Sequence, residues 1–202
     1  MIHKYIPSHQ NEIAPGLHKT QIEGLFYIPH RKFSDIRGNY AEVARIPQID
    51  AFLDNEFVIK QLNISSSKIN VIRGFHAENW NKLLTVIDGT CFCAWADFRP
   101  DSPTFGDIVT LVVGDQNGDA VFGSMFVSSG IGNSFAVLKG PAHYLYAVDE
   151  LYANRDESGD VAISVFDPDL DVPWPIERDQ VIISDRDLQA ISLREAFPEK
   201  FS

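Results

Sequence analysis

Basic side chains are scarce in this sequence. Among its 202 residues are 17 lysines and arginines against 28 aspartates and glutamates, which gives a formal net charge of −11. Proteins that bind nucleic-acid polymers usually present a basic face to them. The composition therefore predicts that the partner is not a nucleic acid, although a few arginines in a pocket could still hold a small anion.

Cysteines and long apolar runs are also scarce. The chain has two cysteines, Cys91 and Cys93. Cysteines at this spacing on one strand point the same way but cannot easily bridge, so we expect two buried thiols in a reducing compartment. No apolar run approaches the length of a membrane span, and the first residues lack the apolar core of a signal peptide. We predict a soluble, cytoplasmic protein with no membrane partner.

Helical periodicity is missing from the central part of the sequence. From about residue 39 to about residue 167, about ten short strand-like segments alternate with turn-rich stretches such as RPDSP and NRDESGD. Asp88-Gly89, between KLLTVI and TCFCAWADF, predicts a two-residue hairpin. Because 45% of the residues are hydrophobic, the chain can fill a core. The pattern predicts an all-β sandwich or barrel of jelly-roll type.

The two ends of the sequence differ from this central part. We predict a single domain with an N-terminal arm over residues 1–30, a jelly-roll core over residues 31–175 and a C-terminal tail over residues 176–202. Only the tail has helical character, in the segment SDRDLQAISLREAF. Ser184 or Asp185 is expected to cap that helix.

The segment NVIRGFHAENWNKLL, residues 70–84, resembles a strand but carries three cationic or proton-carrying side chains. Arg73 and His76 have opposite parity, so on a regular strand they would face opposite ways. Gly74 permits a bulge that would aim both side chains into one lumen. The alternatives are that His76 is a structural histidine and that Lys82 caps the exposed end of the following strand.

Two further pairs of polar side chains share strand faces. Gln61 and Asn63 lie on one side of a strand with apolar neighbours, which fits either the lining of a pocket or the exposed face of an outer strand. Tyr144 and Tyr146 also lie together. Tyrosines in β-proteins often pack as core residues, so the pattern leaves open whether either one is an acid.

A metal site is the first chemical alternative to test. Jelly-roll barrels that bind metals use several histidines, whereas here His76-Ala77-Glu78 has no partner histidine. The later strands offer only Asn133 and His143, and four of the six histidines lie within the first 30 residues. We predict that the protein has no metal site.

A series of motifs follows in a fixed order from about residue 30 to about residue 190. FSDIRGNYAEV resembles F-x-D-x-R-G-x-F-x-E, with Tyr40 in place of the second phenylalanine. KQLNISSSKINVIRGFHAE contains Q-x-N-x-S followed by V-x-R-G-x-H, and ADFRPDSPTFG is close to V-D-x-R-x-x-S-P-T-F-G. YAVDELY, FDPDLDVPWPI and ISDRD resemble the later signatures Y-x(5)-Y, D-P-x-L-x-I-x-W-P and L-S-x-K-D. The sequence thus resembles the deoxysugar-nucleotide 3,5-epimerases, typified by dTDP-4-dehydrorhamnose 3,5-epimerase, and this resemblance implies a cupin-like jelly roll.

The resemblance implies four catalytic residues. His76 matches the general base, Tyr146 the general acid, Asp187 the residue that orients the histidine, and Lys82 the lysine beside the sugar ketone. The chemistry is consistent with these roles, since a proton on a carbon next to a ketone is acidic enough for a histidine to remove at neutral pH. No metal or redox cofactor is required.

The resemblance also implies a substrate-binding set and a partner. The residues that match positions holding the nucleotide and its diphosphate are Arg37, Tyr40, Glu42, Gln61, Asn63 and Arg73, and further contact positions match Glu157 and Arg186. The expected ligand is a nucleotide-diphosphate sugar, linked to dTDP or GDP. Because the opening segment reaches a neighbouring subunit in the family, the resemblance implies a homodimer that exchanges its N-terminal segments.

The sequence departs from the family pattern in two places. Asn133 stands where the family has a second pocket histidine, so this position is expected to bind substrate by hydrogen bonds without carrying a charge. The segment HAENWNKLL is shorter than the corresponding family segment. We expect it to influence which sugar is bound and how many centres are inverted.

The predicted function is inversion of carbon 3, carbon 5 or both in a nucleotide-linked 4-keto-6-deoxy sugar, a hexose or a heptose, for the synthesis of surface polysaccharides. Two alternatives remain open at this point. One is a nucleotide-sugar ketoisomerase on the same barrel, and the other is a cupin that binds a sugar nucleotide without catalysis.

Overall fold

The computed structural model describes residues 1–114 and 119–201. Short extended segments dominate it, as the turn-punctuated apolar pattern predicts. The strands are β1 (Ile2–Lys4), β2 (Glu12–Ala14), β3 (Leu17–Lys19), β4 (Leu25–Pro29), β5 (Arg31–Asp35), β6 (Gly38–Glu42), β7 (Gln61–Ser67), β8 (Ile72–Ala77), β9 (Lys82–Asp97), β10 (Ile108–Gly114), β11 (Gly123–Val127), β12 (Ile131–Val148) and β13 (Val161–Ile163). The α-helices are α1 (Ile46–Asp50), α2 (Asp185–Leu188) and α3 (Leu193–Ala196).

Two long strands, β9 and β12, form the spine of the fold. They pair antiparallel with each other from Ile131–Asp97 to Val148–Lys82. At one end β9 also pairs with β11 and at the other with β10, while β12 pairs first with β8 and then with β7. The strands therefore form two half-sheets, β13-β8-β12-β9-β10-β1 and β7-β12-β9-β11-β4-β3-β2, which share the two long strands. The architecture is an all-β, cupin-like jelly roll.

The hairpin predicted at Asp88-Gly89 is wrong. Both residues lie inside the continuous strand β9, and the segments on either side of them pair with the same partner, β12. Gly89 has a φ of +82°, and a Cβ there would lie 2.8 Å from Ala142 Cα. The glycine of Asp-Gly supplies a positive φ both in a hairpin turn and in a bend within a strand. Here it bends a strand at an exposed corner instead of reversing the chain.

Residues 2–29 do not form an arm, in contrast to the prediction for residues 1–30. They supply β1 to β4, of which β1 pairs in parallel with β10 and β4 antiparallel with β11. Residues 25–28 are all buried, so this pairing removes a continuous apolar segment from water. The exposed segment is instead the hairpin β5–β6, whose strands pair with each other in a separate two-stranded sheet within the described residues.

The space between the half-sheets holds the largest apolar cluster, which includes Trp95, Met125 and Leu84. Cys91 and Cys93 belong to the same cluster and are free thiols, which confirms that they form no disulfide. Burial raises the pKa of the Cys91 thiol to about 12, so it stays protonated and behaves as a small apolar side chain.

The helical character of the tail is confirmed, but it is divided between two single turns. Ser184 caps α2 by accepting a hydrogen bond from Asp187 N at 3.2 Å, as predicted. Ile191 then forms a β-bridge with Ile163, which requires an extended backbone and separates α2 from α3. No helix among the described residues has both the length and the apolar character that a membrane crossing requires.

Candidate active site

A cavity of about 140 Å³ opens between the two half-sheets. Strands β7, β8, β9 and β12 line it together with one residue of α2. The lining residues are Ser65, Arg73, Gly74, His76, Glu78, Trp80, Lys82, Leu84, Asn133, Phe135, Tyr144, Tyr146 and Asp187. Polar and charged side chains make up most of this lining, beside an apolar wall that includes Trp80, Leu84 and Phe135. Polar groups that converge in a cavity are typical of a small-molecule site.

Strand β8 carries the bulge that Gly74 predicts. Its partner β12 advances two residues, from Asn133 to Phe135, while β8 spans three, from His76 to Arg73. The extra residue changes the parity of the strand, so Arg73 and His76 line the same cavity. The prediction that both side chains reach one lumen is confirmed.

The absent side chain of Gly74 also makes room for a carboxylate. Asp187 accepts a hydrogen bond from Gly74 N at 3.1 Å and another bond joins its Oδ1 to His76 Nε2 at 2.7 Å. A Cβ on residue 74 would lie 2.7 Å from Asp187 Cγ. Glycine is therefore required here by the close approach of Asp187, in addition to the bulge.

The environment of Asp187 keeps it ionised. Its burial would raise its pKa, but the hydrogen bonds from His76 and from the Gly74 backbone outweigh that effect and hold the pKa at about 2. A carboxylate can only accept hydrogen bonds, so His76 Nε2 carries the proton of this bond. The lone pair of the neutral imidazole is then on Nδ1, which leaves that nitrogen able to act as a base.

Lys82 lies inside the cavity, which excludes the alternative that it caps an exposed strand end. Only 5% of the residue is exposed. Its Nζ donates a hydrogen bond to His76 O at 3.1 Å and forms an ion pair with Glu78. The ammonium group is thus fixed against the backbone of the histidine strand.

Tyr146 enters the cavity from the half of β12 that pairs with β7. Burial raises the pKa of its phenol, Arg73 lowers it, and Glu78 and Tyr152 raise it further. The net effect is a raised pKa, so the phenol is protonated at neutral pH and has a proton to donate. His76 belongs to a different strand, β8, in the other half-sheet.

Asn133 is directly opposite His76 in the β8–β12 ladder. Its Oδ1 accepts a hydrogen bond from the hydroxyl of Tyr144 at 3.1 Å. The ring of Tyr144 stacks on Phe135 with a centroid distance of 4.3 Å and an interplanar angle of 6°. Tyr144 and Tyr146 therefore both line the cavity, and the hydroxyl of Tyr144 is bound to Asn133.

Gln61 and Asn63 do not line the cavity, although the sequence suggested them as part of a pocket. Their side chains are hydrogen-bonded to each other at 2.7 Å, and Gln61 Oε1 accepts a bond from Tyr152 N at 2.9 Å. Asn63 pairs in register with Tyr146, next to the cavity. Arg73 is a lining residue, and its Nε donates to Ser67 Oγ at 3.0 Å.

The remaining predicted binding residues lie outside this cavity. Arg37 and Tyr40 line a shallow depression on the β5–β6 hairpin, where Arg37 forms an ion pair with Asp35 at 2.6 Å. Glu42 ends the hairpin and pairs with Arg45 at 2.8 Å. Within one chain, the structure does not bring these hairpin residues to His76.

Two residues near the end of the chain are also separate from the lining. Glu157 forms an ion pair with Arg155 at 3.2 Å. Arg186 is exposed on α2, beside Asp187. Their predicted contacts with substrate stay predictions.

Glu78 and Trp80 line the cavity but are absent from the predicted site. They lie in the short segment between His76 and Lys82, which is the place where the sequence departs from the family pattern. Asn81 fixes this segment by donating to Asp149 from its backbone at 2.9 Å and from its side chain at 2.7 Å. The departure indicated the right region but not which of its side chains face the cavity.

Within residues 1–114 and 119–201, no three side chains of His, Cys, Asp or Glu are grouped so that they could hold a metal ion. The ionisable groups of the cavity instead form the pairs His76–Asp187 and Lys82–Glu78.

Comparison with known proteins identifies the family. The sequence profile described as dTDP-4-dehydrorhamnose 3,5-epimerase matches residues 19–195. The chain belongs to this family. It is 31% identical over 182 residues to dTDP-4-dehydrorhamnose 3,5-epimerase of Mycolicibacterium smegmatis, covering 88% of this chain and 86% of the relative. It is also 31% identical to the enzyme of the same name from Methanothermobacter thermautotrophicus, covering 88% of this chain and 94% of that one.

Solved structures of epimerases share the fold. NovW of Streptomyces spheroides, a 4-keto-6-deoxy sugar epimerase, superposes with a TM-score of 0.80 at 26% identity, covering 91% of this chain and 90% of NovW. The Legionella pneumophila epimerase RmlC, solved with dTDP-4-keto-L-rhamnose, gives a TM-score of 0.78 at 27% identity, covering 91% of this chain and 95% of that one. Membership of this epimerase family agrees with the resemblance found in the sequence.

Proposed function

We propose that this chain inverts carbon 3, carbon 5 or both in a nucleotide-linked 4-keto-6-deoxy sugar, as a step in the synthesis of deoxysugars for surface polysaccharides. One observation carries the proposal: the His76–Asp187 pair and the protonated phenol of Tyr146 line one cavity. Inversion requires a base and an acid on opposite faces of the sugar, because the proton must leave from one face and return to the other. The positions of His76 and Tyr146 in different half-sheets support that arrangement.

In the proposed reaction, His76 Nδ1 removes the proton from the carbon beside the ketone. The electrons of the broken C–H bond move to the ketone oxygen and form an enolate. Asp187 stabilises the positive charge that the imidazole gains and keeps its ring in one orientation. The buried ammonium of Lys82 is the group that would stabilise the negative oxygen, since electrostatic stabilisation is strong in an enclosed site.

The second half of the reaction needs a proton donor on the opposite face. Tyr146 would give its phenolic proton to the same carbon, after which the ketone reforms and the centre is inverted. Return of a proton to the same carbon is the step that distinguishes an epimerase from a ketoisomerase, which would place the proton at a neighbouring position. Both proposed steps are proton transfers and the ketone is regenerated, so the reaction is expected to need no redox cofactor.

A dTDP-linked hexose is the proposed substrate class. The curated relatives are named for dTDP sugars, and the Legionella structure contains one. GDP-linked sugars and heptoses are the alternatives, because the segment between His76 and Lys82 differs from the family pattern and carries two cavity residues, Glu78 and Trp80.

The test is proton exchange in heavy water. The purified protein is incubated with dTDP-4-keto-6-deoxyglucose, and with the GDP-linked analogue in parallel, while deuterium at each carbon is followed by NMR. Deuterium at carbons 3 and 5 supports a double epimerase, and deuterium at carbon 3 alone supports a single one. Migration of the carbonyl would identify a ketoisomerase. Tight binding without exchange would refute catalysis and leave a sugar-nucleotide-binding cupin.

We also propose a homodimer in which the β5–β6 hairpin of one subunit completes the site of the other. The hairpin is exposed and carries apolar side chains in water, with Phe33 exposed by 59% and Tyr40 by 69%. Strand β7, at the end of its half-sheet, exposes Leu62 by 64% and Ile64 by 62%. Association would cover both apolar surfaces. It would also explain why Arg37 does not line the cavity of its own chain.

Mixing two inactive variants tests the exchanged hairpin. Arg37→Ala and His76→Asn should each lack activity, but a mixture refolded or co-expressed at equal amounts should recover about one quarter of the wild-type activity. Random assortment makes half of the dimers mixed, and each mixed dimer then has one intact site of two. Light scattering should give twice the chain mass. A mixture that stays inactive while light scattering detects mixed dimers would refute the shared site.

Substitution of Gly74 tests the contact with Asp187. Gly74→Ala should reduce exchange by about 100-fold, because the new Cβ would force the carboxylate away from His76, and misplacement by about 1 Å costs that much. Steady-state exchange rates and thermal unfolding would be measured together. Gly159→Ala is the matched control, since a Cβ there would lie 3.3 Å from Asn79 Cβ, a tight contact that a small shift of one side chain outside the cavity lining relieves. Full activity of Gly74→Ala would contradict the role given to this close approach.

A further inference from the structure

Tyr144 is a buried phenol that the proposed reaction does not use. It is 2% exposed and lines the cavity, with its ring stacked on Phe135. Its hydroxyl donates to Asn133 Oδ1 at 3.1 Å. An apolar ring would fill the same volume and stack equally well, so the hydroxyl calls for its own explanation.

The hydroxyl fixes the orientation of the Asn133 amide. Burial raises the pKa of Tyr144 well above its usual range, with the nearby thiols contributing in the same direction, so the phenol keeps its proton at any pH of interest. A carboxamide has an accepting oxygen on one side and a donating NH₂ on the other. Because Tyr144 donates, the oxygen of Asn133 faces it, and the NH₂ is turned away from it.

The NH₂ group of Asn133 has no acceptor within residues 1–114 and 119–201. In the described part of the chain, the one hydrogen-bond partner of the Asn133 side chain is Tyr144. Asn133 is only partly buried and lines the cavity, so a ligand can reach it. It is also directly opposite His76 in the strand ladder, which places it beside the base.

We propose that Tyr144 is a positioning residue that holds the Asn133 amide with its NH₂ group toward the sugar oxygen on which negative charge develops. The inference rests on the proposed function and adds a neutral donor to the charge of Lys82. A fixed donor aimed at a developing oxyanion stabilises the transition state more than the ground state. Unlike an imidazole, an amide supplies this hydrogen bond without changing its charge with pH.

A double-mutant cycle tests the positioning role. Asn133→Ala should lower kcat for exchange by about 100-fold, as expected when one oxyanion donor is lost, while KM rises by no more than about 10-fold. Tyr144→Phe should lower kcat by about 10-fold, because the amide can then rotate. In the Asn133→Ala background, Tyr144→Phe should change kcat by less than about 2-fold, since residues that act through one another are not additive. Equal effects of Tyr144→Phe in both backgrounds would show that Tyr144 acts only through packing and would overturn the inference.

Asn133→Asp is the matched control. A carboxylate still accepts the hydrogen bond from Tyr144 but has no proton to donate to the sugar. We expect it to be at least as impaired as Asn133→Ala while unfolding at a temperature near that of the wild type. Activity close to wild type for Asn133→Asp would refute the donor role.

A binding measurement separates this inference from the proposed function. Calorimetry would compare dTDP with dTDP-glucose, which binds without a reactive ketone. Asn133→Ala and Tyr144→Phe should each weaken only the sugar nucleotide, by about 2- to 10-fold, the range for one hydrogen bond. If the wild type exchanges no proton but this pattern holds, the proposed function fails and the oriented donor stands. If exchange is normal and neither variant alters sugar binding or kcat, the inference fails alone.

Discussion

Replacing His76 with asparagine should slow proton exchange by at least two orders of magnitude while leaving nucleotide binding nearly unchanged. Asparagine can keep a hydrogen bond to Asp187 but has no nitrogen that accepts a proton at neutral pH. General-base catalysis by a positioned side chain contributes about 10²- to 10⁴-fold, so the exchange rate should fall by that amount. The affinity for dTDP, measured by calorimetry, should stay within about 2-fold because the base is expected to contact the sugar and not the nucleotide.

His143→Asn provides the control for this substitution. His143 lies on the same long strand as Tyr146, but it is exposed by 37% and pairs with Asp88 at 3.6 Å, outside the cavity. This variant should exchange protons at the wild-type rate. If His76→Asn retained normal exchange, another group would have to be the base and the proposed assignment would be wrong.

Replacing Asp187 with asparagine should be nearly as damaging, although the two side chains have the same size. Asp187 accepts from two donors, His76 and the backbone of Gly74, whereas a carboxamide has one accepting oxygen. If its oxygen faces Gly74, its NH₂ donates to His76 Nε2 and moves the ring proton to Nδ1, which removes the lone pair needed for catalysis. If its oxygen faces His76, two N–H groups oppose each other at Gly74. We expect a loss of about 10³-fold in kcat, within the range for a lost catalytic base.

The same variant should alter the acid stability of the protein. Because the pKa of Asp187 is lowered to about 2 in the folded chain, its ionised form stabilises the fold above the ordinary carboxyl pKa, and this stabilisation is lost as the pH falls from about 4 toward 2. Urea unfolding should show Asp187→Asn less stable by on the order of 2 kcal/mol at pH 7, with a smaller difference at pH 3. A difference that stayed constant between these pH values would contradict the lowered pKa.

The sequence was a good guide where the relevant interaction is local. The bulge follows from Gly74 between Arg73 and His76, and the helix cap follows from Ser184, because both depend on a few neighbouring residues. The family motifs then identified His76, Tyr146 and Asp187, and the structure brings their side chains to one cavity. Their catalytic roles stay predictions until the variants are measured.

The sequence was a poor guide where a distant strand decides the outcome. Asp88-Gly89 has the local dihedral preference of a hairpin, but only the pairing of β12 with both halves of β9 makes it a bend. Likewise, the face that Trp80 presents depends on how Asn81 is anchored to Asp149, which is 68 residues away. Nothing in the local pattern encodes these long-range contacts.

The bend shared by β9 and β12 sets the relative orientation of the proposed base and acid. Asn133, opposite His76, and Tyr146 lie on one strand, on either side of its exposed corner at residues 139–141. Side chains alternate along a strand, so adding or removing a single residue at this corner would turn one half of the strand over relative to the other. The length of a surface corner, whose residues do not line the cavity, therefore determines whether the proposed base and acid face the same cavity.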